Sequence, residues 1–82
     1  MEGAKRQLDL VTIGRSCIDL YGEQTGGRLE DMTSFAKYIG GSPTNTAVGA
    51  SRLGLLSALV TRVGSDHFGR FIHEQLRREG VC

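Results

Sequence analysis

The sequence predicts an α/β fold built on a parallel sheet. Three observations carry that prediction. Leu8-Asp9-Leu10-Val11-Thr12-Ile13-Gly14 is apolar on both faces of an extended segment, the mark of a strand buried in a parallel sheet. A helical pattern over residues 42–53 is followed by a second apolar extended run, Ser57 to Gly64. A second helical pattern then leads to Val81, which reads as the first residue of a further strand. Strands alternating with helices imply right-handed β-α-β crossovers.

Each element has its own punctuation. Gly14 ends the first strand and opens a turn. Residues 16–38 give a weaker signal. Ile18, Leu20 and Tyr21 continue an extended segment, Gly22 through Arg28 reads as a loop, and Phe35 to Ile39 reads as a short second strand. The next helix is marked at both ends, with Ser42 expected as N-cap, Pro43 at the first helical position and Gly54 at C′. Its small residues, Ala47, Gly49, Ala50 and Ser51, suit close packing on a sheet. Ser65 or Asp66 is the expected cap of the second helix, and Phe68, Phe71, Ile72 and Leu76 its core stripe. Arg77 and Arg78 lie in its last turn, where they complement the helix dipole, and Gly80 closes it.

Composition narrows the function classes. The 82 residues are 39% hydrophobic, enough for one small core. Ten basic and nine acidic residues leave a net charge of +1, which gives no long-range field for nucleic acid or a membrane. Cys17 and Cys82 have no metal-ligand companions at the usual spacing, and a reduced, cytoplasmic setting is expected. The N-terminal residues lack the apolar core of a signal peptide, and no run approaches a membrane span. His67 and His73 are expected at the surface without a role. Two central strands cannot complete a doubly wound sheet, so the sequence reads as one part of a longer fold.

The densest constellation is Gly40-Gly41-Ser42-Pro43-Thr44-Asn45. Two glycines before a helix N-terminus let a ligand approach bare backbone, with free N–H groups and the positive dipole end nearby. Asn45 in the first turn offers a donor and an acceptor, as a sugar hydroxyl requires. A tight turn with a helix cap explains the same residues equally well. Nucleotide motifs are disfavoured. No G-x-x-x-x-G-K-[ST] run occurs, and only Gly14 follows the first strand where a dinucleotide fingerprint needs G-x-G-x-x-G.

The spacing Gly40-Gly41, Asn45, Ala47, Gly54, Gly64 resembles the first signature of the ribokinase-like (PfkB) carbohydrate kinases, with Val48 to Leu53 and Leu55 to Val63 filling the gaps. Gly64-Ser65-Asp66-His67-Phe68-Gly69 resembles the family's G-x-D-x-x-G segment. Asp19-Leu20-Tyr21-Gly22, Arg28 to Met32 and Ser34 to Tyr38 further resemble the branch that phosphorylates 5-dehydro-2-deoxy-D-gluconate in inositol catabolism. The resemblance implies the N-terminal portion of a three-layer α/β/α fold with a small β lid at about residues 21–38. It implies sugar contacts from Asp19, Gly40, Gly41 and Asn45, and ATP with Mg²⁺ bound by residues of the family's later part. The lid strands pair between subunits in several members, so a homodimer is a further implication. Asp66 reads as a helix cap and not a ligand, and Arg15 is the weaker candidate for a substrate carboxylate. The family's catalytic Asp stands in a G-x-G-D segment, which this sequence lacks, so no catalytic residue is assigned and the 82 residues alone are expected to be inactive. Other PfkB substrates (fructose, ribose, another keto-sugar acid) and a non-catalytic sugar-binding or dimerising module are the alternatives.

Overall fold

The computed structural model describes residues 8–82. Strand β1 (Leu10–Ile13) runs parallel to β4 (Ser57–Val60), with Leu10 opposite Ser57 and Thr12 opposite Leu59. Between them in sequence lie an antiparallel hairpin, β2 (Cys17–Gly22) with β3 (Phe35–Gly40), and helix α1 (Ser42–Arg52). Helix α2 (His67–Arg78) follows β4. The chain then returns to the sheet. Cys82 donates to the Ser57 carbonyl at 3.0 Å and accepts from the Leu59 amide at 3.1 Å, the bond pair of a parallel ladder. Strand β4 therefore has β1 on one side and Cys82 on the other.

Both helices contribute to one core. Ala47 of α1 meets Ile72 and Leu76 of α2 and Val81, with Leu59, Ile18 and Ile39 packed around them. Small residues let α1 lie close to the strands. Ser57 is fully buried and its hydroxyl donates to the Ala47 carbonyl at 2.8 Å, while Thr12 Oγ1 donates to the Pro43 carbonyl at 2.9 Å. The described residues thus supply the sheet and one helical layer. The opposite sheet face is uncovered, with Val11 47%, Ile13 74% and Val60 54% exposed.

Several expectations are corrected. The expected strands 8–14 and 57–64 are shorter, because ladder pairing between them covers only Leu10–Ile13 and Ser57–Val60. The N-cap of α1 is Gly41 and not Ser42, which places Pro43 at the second helical position. The turn from β3 into the helix needs φ +100° at that point, which only glycine takes without strain. Gly54 does follow the C-cap Leu53, with φ +96°. Cys17 to Gly22 is a full strand, so the hairpin begins earlier than residue 21.

The core stripe of α2 also splits. Ile72 and Leu76 are buried, but Phe68 is 63% exposed and Phe71 lies beneath the Lys37 ammonium, 4.8 Å from its ring centre. The first turns of α2 face the hairpin rather than the sheet, so less apolar surface covers them. Asp66 is the N-cap, accepting from the Gly69 amide at 3.0 Å. At the other end of α2, Arg52 pairs with both carboxylate oxygens of Glu79, at 2.8 and 2.6 Å, and Ser51 Oγ donates to the Glu79 carbonyl. Cys17 and Cys82 are free thiols, and His67 and His73 are exposed.

Candidate sugar-binding face

The hairpin arranges the site. In an antiparallel pair, opposed residues share a face, and side chains alternate along each strand. Cys17 is opposite Gly40, Asp19 opposite Tyr38 and Tyr21 opposite Ala36. These six residues form one face. Ile18, Leu20, Lys37 and Ile39 form the other, which packs toward α2 through Ile18, Ile39 and the Lys37–Phe71 contact. The polar strand turn beyond is tied by Gln24, which donates to Ser34 Oγ at 3.0 Å and accepts from the Thr33 amide at 2.9 Å.

On the first face, Asp19 lies against Gly40. A Cβ at Gly40 would stand 2.3 Å from Asp19 Oδ2 and 2.9 Å from Oδ1, so only a glycine leaves room for the carboxylate there. The Cys17 thiol donates to Asp19 Oδ1 at 3.7 Å, a weak hydrogen bond that leaves Oδ2 without a hydrogen-bond partner among the described residues. Gly41 comes next. A Cβ on it would stand 2.8 Å from the Arg15 carbonyl oxygen, and Thr44 Oγ1 donates to that same carbonyl at 3.1 Å. The glycine pair therefore has two distinct jobs: Gly40 makes room for Asp19, and Gly41 brings α1 against the end of β1.

No side chain caps α1 at its N-terminus, so its first-turn amides stay available. Asn45 donates its backbone N–H to the Gly41 carbonyl at 2.9 Å, which puts its exposed side chain one residue past the first turn's opening. That amide makes no hydrogen bond among the described residues. Asn45 opens onto a groove of about 460 Å³ that also reaches Tyr38, Val48 and Gln75. A different cavity, about 520 Å³, lies between the hairpin and α2 and is lined by Ser16, Leu20, Arg62 and Phe68 among others. Asp19, Gly40, Gly41 and Asn45 do not line it. The structure thus brings Asp19 and Gly40 into contact, sets Gly41 beside them in the chain, and holds Asn45 on the adjoining helix. Arg15 contributes its carbonyl to the turn.

Tyr21 and Tyr38 were not singled out from sequence, yet they stand on the same face as Asp19, with ring centres 5.3 Å apart. Their signal was available. Tyr21 lies two residues past Asp19 and Tyr38 two before Gly40, the spacing that puts strand residues on one side.

A glycine-paired turn, an uncapped helix start and a carboxylate on a hairpin converge on a family. The pattern described as pfkB family carbohydrate kinase matches residues 7–82. The chain belongs to that family. A 5-dehydro-2-deoxygluconokinase of Bacillus thuringiensis is 47% identical over 72 residues, which are 88% of this chain and 22% of that protein. Among solved structures, an uncharacterized sugar kinase from Pyrococcus horikoshii in complex with ATP aligns with TM-score 0.79 and 42% identity, covering 88% of this chain and 25% of that one. The fructokinase of Halothermothrix orenii aligns with TM-score 0.76 and 34% identity, covering 90% and 28%. The fold is the N-terminal portion of the PfkB architecture. The chain spans 22–24% of the length of the curated relatives it matches.

Kinases of this family bind ATP, which requires a nucleotide site. The residues present do not fit one. No group of three or more His, Cys, Asp or Glu gathers to hold a metal among the described residues, and no phosphate-cradling loop motif occurs in the sequence. No helix among the described residues is long and apolar enough to cross a membrane.

Proposed function

We propose that this chain is the sugar-binding side of an ATP-dependent kinase that phosphorylates the terminal hydroxyl of 5-dehydro-2-deoxy-D-gluconate. The observation that carries the reading is the Asp19 carboxylate seated on bare Gly40, one residue from Gly41 and the open N-terminus of α1. A carboxylate with a free oxygen accepts hydrogen bonds from adjacent sugar hydroxyls, and Asn45 supplies a donor and an acceptor from the helix. Gly40 and Gly41 let the ligand lie close to backbone. The hairpin acts as a lid that excludes water during transfer. The choice of sugar acid is supported by the 47% identity to a relative of that name.

The division of labour follows from what is present. Residues 8–82 position the sugar, while the base, the nucleotide and its Mg²⁺ belong to residues outside this chain. Phosphoryl transfer needs both halves, so the 82 residues alone do not turn over. The kinase works in the cytoplasm, where inositol breakdown supplies its substrate.

The test is a substrate panel on the full-length kinase with wild-type protein and Asp19→Asn. The keto-sugar acid is the preferred substrate, and Asp19→Asn raises its KM about tenfold or more while leaving the KM for ATP unchanged. An unchanged sugar KM in Asp19→Asn sinks the site assignment. A large preference for fructose, the reading favoured by the fructokinase alignment, sinks the substrate assignment alone.

A further inference from the structure

The hairpin face that carries Asp19 also carries an exposed aromatic pair. Tyr38 is the cross-strand partner of Asp19, and Tyr21 is two residues along β2 on the same side. Their rings tilt at 45° with centres 5.3 Å apart. Tyr21 is 57% exposed and Tyr38 54%. Cross-strand aromatic pairs stabilise hairpins on either face. This hairpin, however, is anchored through its opposite face, where Ile18 and Ile39 join the core. The exposed pair is therefore free to serve a ligand.

The geometry points to Tyr21 and Tyr38 as an aromatic platform for the carbon face of the sugar substrate, and so as specificity determinants of the kinase. This rests on the sugar-binding reading of Asp19 and adds the apolar half of that site. A sugar presents hydroxyls at its rim and weakly positive C–H groups on its face. The hydroxyls suit a carboxylate, and the C–H groups suit the negative face of an aromatic ring. Asp19 and Tyr38, opposed in register, offer both at one place. An occupant with hydroxyls and C–H surface matches that combination, whereas a purely apolar partner would leave the Asp19 carboxylate desolvated and unpaired.

The experiment measures sugar KM, ATP KM, kcat and sedimentation of the full-length kinase for Tyr38→Ala, Tyr38→Leu, Tyr38→Phe and Tyr21→Ala, beside Asp19→Asn. Tyr38→Ala and Tyr21→Ala each raise the sugar KM, Tyr38→Ala by about tenfold, with ATP KM unchanged. Tyr38→Phe keeps the ring and stays near wild type. Tyr38→Leu keeps apolar bulk without the ring and behaves like Tyr38→Ala, which guards against a folding failure of the smaller residue. An unchanged sugar KM in the tyrosine variants alongside a raised one in Asp19→Asn overturns the platform and spares the site. Unchanged values in all of them overturn both. A shift from dimer to monomer with the sugar KM unmoved also overturns the platform, since the face is then a subunit contact.

Discussion

Gly40→Ala separates site geometry from fold stability. The added Cβ falls 2.3 Å from Asp19 Oδ2 and 2.7 Å from its Cγ. Ordinary contact begins at about 3.5 Å, so the carboxylate must retreat by roughly 1 Å. The backbone accepts the change, because Gly40 sits in a strand and is not among the positive-φ glycines. The atoms that must give are the far end of a side chain on a two-stranded hairpin, not main chain. Stability therefore changes by less than about 1 kcal/mol, the scale of a glycine-to-alanine exchange at a compatible position. Binding suffers more. Hydrogen bonds to a charged group are worth about 1.5–3 kcal/mol, and a 1 Å displacement puts that at risk. The sugar KM of the full-length kinase should rise about 10- to 100-fold, with ATP KM and urea midpoint close to wild type. A sugar KM within twofold of wild type, in a protein that melts normally, refutes the argument that Gly40 exists to seat Asp19.

Gly69→Ala is the contrasting case: its Cβ would fall 1.7 Å from the Gly64 carbonyl oxygen, which is backbone and cannot swing aside. The full-length protein should lose about 3 kcal/mol in urea unfolding, while any folded fraction keeps its sugar KM. The Arg52–Glu79 pair makes a prediction about pH. Its hydrogen bond to Arg52 holds the Glu79 carboxyl below its usual range. A lowered folded-state pKa means that the pair's contribution is present above the ordinary carboxylate range and is lost as pH falls through the folded value. Thermal melts between neutral and acid pH should show Glu79→Gln with a shallower acid decline than wild type, and added salt should narrow the gap because Arg52 is largely exposed and Glu79 partly so.

The β-α-β frame was readable because its signals are local. Pro43 and Gly54 bracket α1, and Asp66 caps α2 through its own third neighbour. The misplaced N-cap shows where local rules stop. Ser42 is the better capping side chain, but the left-handed turn at Gly41 decides where the helix begins. The hairpin's strands were legible as extended segments around residues 18–21 and 35–39, but their pairing was not. Its strands mix polar and apolar residues on both faces, and its pairing is set by a register between residues as far apart as Cys17 and Gly40. Periodicity placed Phe68 and Phe71 on one stripe correctly, but a stripe does not say what lies against it. The contact between Asp19 and Gly40 had no sequence signal of its own, since each residue explains the other only once the strands are paired.

The base of the hairpin has a mechanical meaning. The chain leaves the frame after Arg15 and rejoins it at Gly41, and these two points touch: Thr44 of α1 holds the Arg15 carbonyl, against which Gly41 is pressed. The excursion is also braced along its length, since Ile18 and Ile39 pack on the core and Lys37 stands over Phe71. Fixed at its base and along one face, the hairpin holds Asp19, Gly40, Tyr21 and Tyr38 in one register on the other face, with Asn45 across the junction on α1.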